Sequence, residues 1–234
     1  LTFIRWVDSI ARLGRMGNTI DKVEVAVANS FSVWWNQPRL GASPFSNQSS
    51  ITGEPLALPK VGYLQRVDMA TLQAVAAQHD LKIFLSVLPG KFCTPSNPVA
   101  QVQGLSPDNM QCLDELSSAF HLADQRTYDQ DPRFGLVVLC EIACRALSPA
   151  VNDPGTAIDV VGTVTRLFHL WARARQASTA EPLHDRIFAP DLREQDLFDD
   201  AFNGLARDGA GLVEVSIRLQ KAFQAISGFG DNDL

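Results

Sequence analysis

No stretch of this 234-residue sequence holds the roughly 18 consecutive apolar residues that a membrane-spanning helix needs. Basic charge is also short. Only 20 Lys and Arg stand against 26 Asp and Glu, a net charge of −6. Nucleic-acid binding needs a basic face that displaces phosphate counterions, so no nucleic-acid partner is expected. The four cysteines, Cys93, Cys112, Cys140 and Cys144, include no C-x-x-C pair, and the four histidines show no ligand spacing. No metal and no cofactor is therefore expected, and the thiols read as small apolar core residues. A nucleophile elbow, a P-loop, a dinucleotide-binding glycine run, an H-E-x-x-H pair and a calcium loop are all missing, which leaves catalysis without a positive signal. The pattern starts inside a helix at Leu1 with neither an initiator Met nor a signal peptide, so the chain reads as part of something longer.

What is present is an ordinary globular composition, 46% hydrophobic and 20% charged, enough to build a core. Trp6, Ile10, Leu13, Met16, Ile20, Val23 and Val27 step by three and four, which predicts a helix over 1–28 that acts as a connecting stalk or packs on its own domain. Residues 36–60, rich in Pro, Ser, Asn and Gly, read as a loop. Residues 61–67 predict a strand and Asp68 a cap for a helix with Met69, Leu72, Val75 and Ala76 inward. A second strand is expected at 81–88, a turn at Pro89-Gly90, and short strands within 92–102. Ser106-Pro107 and Asp131-Pro132 each look like a helix start, the first with Met110, Leu113 and Phe120 inward. The second helix, 132–147, is apolar nearly all round and therefore expected to be central. Asp153-Pro154 opens another helix, 176–193 reads as a connection, and helices follow near 194–207 and 210–227, with fraying at 231–234. The expected fold is α+β and predominantly helical, a small β region at about 61–103 followed by a helical bundle. Its divisions are an N-terminal helix and loop (1–60), a β/α subdomain (61–104) and a helical subdomain (105–234).

Two polar clusters stand out. Arg126, Thr127, Asp129, Gln130 and Asp131 precede a helix start. Arg145, Ser148, Asn152, Asp153 and Thr156 bridge one helix end and the next start. Helix N-termini carry free N–H groups that attract anions, which makes a small anion a candidate ligand; aspartates there more often cap the helix themselves. Glu141 and Arg145 lie four apart in an otherwise apolar helix. They predict a buried ion pair, or an arginine facing a pocket or a partner's carboxylate. Helix 132–147 is about 24 Å long at 1.5 Å per residue, so the two clusters are expected to form separate sites.

Across 126–157, the segment RTYDQDPRFGLVVLCEIACRALSPAVNDPGTA resembles the family of bacterial membrane proteins catalogued as domain of unknown function 2254. The carrying motifs are Arg126-Thr127, Gln130-Asp131, Arg145 to Ala150, Asn152-Asp153-Pro154 and Thr156-Ala157, with GYLQRVD (62–68) and PGKF (89–92) upstream. Gly155 and Lys91 depart from the family's usual aromatic and acidic residues. The resemblance implies transmembrane helices before Leu1, attachment to the bacterial inner membrane, and a cytoplasmic position for this portion. It brings no catalytic residues. A homo-oligomeric domain for assembly, gating or ligand sensing is expected. The alternative is a membrane-associated enzyme with a pocket around Arg126/Asp129 or Arg145/Asp153. The reading frame upstream of Leu1 tests the topology: it is expected to encode apolar runs of about 20 residues, and their absence would remove the anchor.

Overall fold

Short strands and long helices alternate along the chain. The computed structural model describes residues 16–45, 52–106 and 110–229. In order these are α1 (Met16–Asn36), a 3-10 turn (Pro38–Gly41), β1 (Ala42–Pro44), β2 (Glu54–Leu56), β3 (Gly62–Val67), α2 (Met69–Gln78), β4 (Lys82–Leu85), β5 (Phe92–Cys93), β6 (Ala100–Gln103), α3 (Cys112–Ser118), β7 (Phe120–Ala123), α4 (Phe134–Leu147), α5 (Pro154–Ala177), β8 (His184–Ala189), α6 (Glu194–Gly209) and α7 (Val213–Ser227). The expected α+β class holds. No helix among the described residues is long and apolar enough to cross a membrane.

The chain divides into two compact units, each discontinuous in sequence. The expected segments 1–60 and 105–234 each include residues of both units, and 61–104 lies within one of them. One unit, Ser32–Phe134 with Ser178–Arg193, contains both sheets. Its larger sheet runs β1-β8-β4-β6-β2, with β8 parallel to β1 and β4 and the other pairs antiparallel. Alternation sets its faces. Ile83, Leu85, Ile187 and Ala189 are fully buried, while Phe84 and Phe188 stack on the other face with centroids 4.7 Å apart. The smaller sheet is β5-β3-β7, all antiparallel. Asp68 caps α2 as expected, accepting from the Thr71 N–H at 3.1 Å.

Several expectations are corrected here. The 176–193 connection contains β8. Its partners β4 and β1 lie about 100 and 140 residues earlier, and its first half, His184 to Arg186, is polar, so no local period marks it. The 36–60 loop contains β1 and β2, three residues each and on the two edges of the sheet. Pro44 and Pro55 sit there because an edge strand tolerates a missing ladder N–H. β7, which includes Phe120, extends the β region past 103. Of the helix expected at Ser106-Pro107, residues 107–109 lie outside the described residues; α3 begins at Cys112, and Met110 is exposed. The helix expected over 1–28 is described from Met16 and runs on to Asn36, because Phe31 and Trp34 continue its buried stripe. Trp6, Ile10, Leu13 and residues 231–234 lie outside the described residues.

The other unit comprises the described residues up to Phe31, Gly135–Ala177, and those from Glu194 onward. Its core is aromatic. Phe198, Phe202 and Phe223 meet mutually at 4.8–5.2 Å, Phe168 stacks on Phe202 at 5.9 Å, and Phe31 meets Trp171 edge-on at 4.8 Å. Helix α4 is not buried all round. It buries one stripe, Gly135, Leu136, Leu139, Cys140, Ala143, Ala146 and Leu147. Where α4 meets α6, a Cβ on Gly204 would stand 3.0 Å from both the Cys140 and Cys144 sulfurs. The four thiols are free, as packing residues would be. Burial, reinforced by Asp208 and Cys140, pushes the Cys144 thiol up to about 12, which keeps it protonated and unreactive. Gly204→Ala is expected to destabilise the chain by about 1–3 kcal/mol through overpacking, despite the roughly 1 kcal/mol that alanine gains in helix propensity. Denaturant unfolding measures it, and an unchanged or raised midpoint would contradict the close approach.

Candidate functional site

Strand β3 gathers the first polar cluster. Its last residue, Val67, donates its N–H to Gln130 Oε1 at 2.8 Å, and its carbonyl accepts from Gln130 Nε2 at 3.3 Å. The Gln130 amide thus pairs with the strand as a neighbouring strand would. Gln65 Nε2 donates to the Gln125 carbonyl at 2.6 Å. On the same strand, the Leu64 carbonyl accepts from the Gly90 N–H at 2.7 Å, and the Leu64 N–H donates to the Lys91 carbonyl at 2.9 Å. The 89–92 turn and the 125–131 loop are therefore both fastened to β3.

They meet at Asp131, which is 1% exposed. Arg126 donates to it through Nε at 2.7 Å and Nη2 at 2.9 Å, and the Arg133 N–H adds a third donor at 3.1 Å. The guanidinium lies 5.5 Å from the centre of the Phe134 ring, against which Tyr128 also packs. Burial pushes the Asp131 carboxyl above its ordinary range, and the Arg126 guanidinium pulls against it. Gly90 has φ +93°, and a Cβ there would fall on the Asp131 carboxylate. The main partner of Asp131 is thus Arg126, not the free N–H groups of a helix start. Asp129 is exposed, and the Thr127 hydroxyl is buried without a hydrogen-bond partner.

The second cluster lies in the helical unit. Asp153 Oδ1 accepts from the Thr156 N–H at 3.1 Å and Oδ2 from the Thr156 hydroxyl at 2.6 Å. These bonds hold the Asp153 carboxyl below its usual range. Asn152 adopts φ +49°, a left-handed conformation that asparagine tolerates. Its N–H donates to the Ser148 carbonyl at 2.8 Å, and the Asp153 N–H donates to the Ala146 carbonyl at 2.9 Å, closing the end of α4. Ser148 Oγ donates to the Arg145 carbonyl at 2.7 Å. Ser148, Asn152, Asp153 and Thr156 therefore build the turn between α4 and α5.

Glu141 and Arg145 do not. The expected buried pair is corrected: both are exposed, on the face of α4 opposite its buried stripe, and neither makes an ion pair among the described residues. The exposed stretch continues through Pro149, Ala150 and Val151, the last 50% exposed.

The two clusters fall in different units. Cavities of about 590, 620 and 720 Å³ open among the described residues, and none of these is lined by a residue of either cluster. No group of three His, Cys, Asp or Glu side chains among the described residues has a metal-holding arrangement. Sequence spacing found both clusters but missed Leu64, Val67 and Gly90 as the partners of the first. The GYLQRVD and PGKF segments were the available signal, and only the sheet pairing brings them to Asp131.

The family model described as predicted membrane protein (DUF2254) matches residues 1–225. Uncharacterized proteins of Mycobacterium bovis (Mb1321c) and Mycobacterium tuberculosis (Rv1290c) are each 37% identical over 115 residues, 46% of this chain and 21% of theirs. The match thus spans about a fifth of the length of these curated relatives. No solved structure matches the chain.

Removing one partner of a buried pair leaves an uncompensated charge. Arg126→Ala is expected to destabilise by about 3–5 kcal/mol, and the double replacement Arg126→Met with Asp131→Leu by clearly less. A double-mutant cycle in urea measures the coupling. Equal losses for the single and double variants would show that the pair is not the structural element described.

Proposed function

Because the chain belongs to the predicted membrane protein family (DUF2254), we propose that it is the cytoplasmic portion of a multi-pass protein of the bacterial inner membrane, and that it acts in assembly, gating or ligand sensing. Among these, assembly between copies of the chain is best supported. The observation behind it is the exposed stripe of α4: Glu141 and Arg145 carry opposite charges one helical turn apart, and neither makes an ion pair among the described residues. A two-fold contact sets the Glu141 of one copy against the Arg145 of the other, with Val151 supplying apolar area.

The geometry gives less support to a pocket enzyme. Arg126 holds a carboxylate of its own chain, and both Asp153 oxygens are engaged by Thr156. General acid–base chemistry asks for such groups converging on a common point that a substrate can reach.

Light scattering over a wide concentration range tests the proposal. The unaltered chain is expected to form a defined oligomer. Arg145→Ala is expected to shift it toward monomer with little change in melting temperature, since an exposed side chain carries little stability. A chain that stays monomeric, or an oligomer indifferent to Arg145→Ala and Glu141→Arg, would remove the assembly reading and turn attention to ligand sensing.

A further inference from the structure

The helical unit contains a cavity of about 590 Å³ that the assembly reading does not use. That is the size of a small-molecule site. Its walls are aromatic: Phe168, Trp171, Phe198 and Phe229. Phe168 and Trp171 are 9% and 4% exposed, so the inner wall belongs to the core and is preformed.

The rim is an ion pair of unusual form. Arg175 Nη1 donates to Glu194 Oε1 at 2.7 Å, and Trp171 Nε1 donates to the same oxygen at 3.2 Å. Glu194 Oε2 has no such donor among the described residues. Arg175 and Glu194 are 59% and 52% exposed and both line the cavity, so each remains open to solvent beyond the bond between them. A positive and a negative group are thereby fixed side by side at the mouth of an apolar, aromatic-walled cavity.

This charge arrangement selects. A purely anionic head meets Arg175 but is repelled by Glu194. A purely cationic head meets Glu194 but is repelled by Arg175. A head with a phosphate and an ammonium a few atoms apart satisfies both. We propose that the cavity binds one zwitterionic amphiphile of the phosphoethanolamine type, with its apolar tail among the four aromatic rings, its phosphate on Arg175 and its ammonium on Glu194. A membrane lipid is the natural source in a protein of a predicted membrane family.

Calorimetric titration tests this. The probe is monomeric lauroyl lysophosphatidylethanolamine below its micelle concentration, compared with laurate, dodecylammonium and dodecyl maltoside. One-to-one binding is expected for the first, at least about tenfold tighter than for the other three. Arg175→Gln and Glu194→Gln, both at exposed positions, are each expected to erase most of that preference. Ala172→Trp fills the cavity and is expected to abolish binding of all four probes. A folded chain that binds no probe saturably overturns the proposal. So does one that binds all four alike, or one whose Ala172→Trp variant binds unchanged.

Discussion

A carboxylate that is almost wholly removed from water has to be neutralised on the spot, and the sheet unit is arranged around that requirement. Asp131 is buried, so Arg126 reaches forward five residues to grip it with two N–H groups. That grip holds the intervening loop in a tight curve. The curve presents Gln130 to the open end of β3, and Gly90 must be a glycine so that the turn after β4 can lie on the carboxylate. One buried charge thus accounts for the fixed positions of three segments far apart in sequence. The arrangement gives the unit a single geometry at the place where the chain passes into α4. That service is structural: the Arg126 guanidinium is already engaged by a carboxylate of its own chain.

How much of this was legible depended on whether the signal was local. Asp68 capping α2 was readable because cap and helix lie within a few residues. The α5, α6 and α7 helices were readable within a few residues of where they lie. β8 was not, since only Ile187 and Ala189 are fully buried and its partners are β1 and β4. The edge strands β1 and β2 were too short to show alternation, and their prolines suggested a loop. α4 misled in the opposite direction. Val137, Val138 and Ile142 lie on its half-exposed side, so apolar residues on both faces gave the look of a helix buried all round. Asp131 and Asp153 head similar Asp-Pro dipeptides and looked alike. Position separated them: Asp153 is a cap with Thr156, whereas Asp131 is the buried centre of an ion pair.

The motifs that carry the family resemblance therefore divide by physical role. The 62–68, 89–92 and 126–131 segments converge to build one junction of the sheet unit. The 145–157 segment builds one helix-to-helix turn, and it leaves the side chains of Arg145 and Val151 exposed outside that construction. The residues that a turn does not need are the ones available to a partner. The aromatic cavity arises from a different source again, the packing of α5, α6 and α7, where Arg175 and Glu194 were unremarkable surface charges until α6 was brought against α5.

The discontinuity of the two units bears on how the chain is made. A ribosome releases α1 before the sheet unit and α6 and α7 after it. Part of the apolar surface of α4 and α5 therefore waits for helices that have not yet been translated, as Cys140 waits for Gly204 and Phe168 for Phe202. The sheet unit also waits, for β8. Neither unit can close while the nascent chain is short of residue 189, and any single cut between 32 and 193 divides the helical unit. Closure of each unit consequently waits for the segment of it that comes last in the chain, and helix faces stay exposed until that segment arrives.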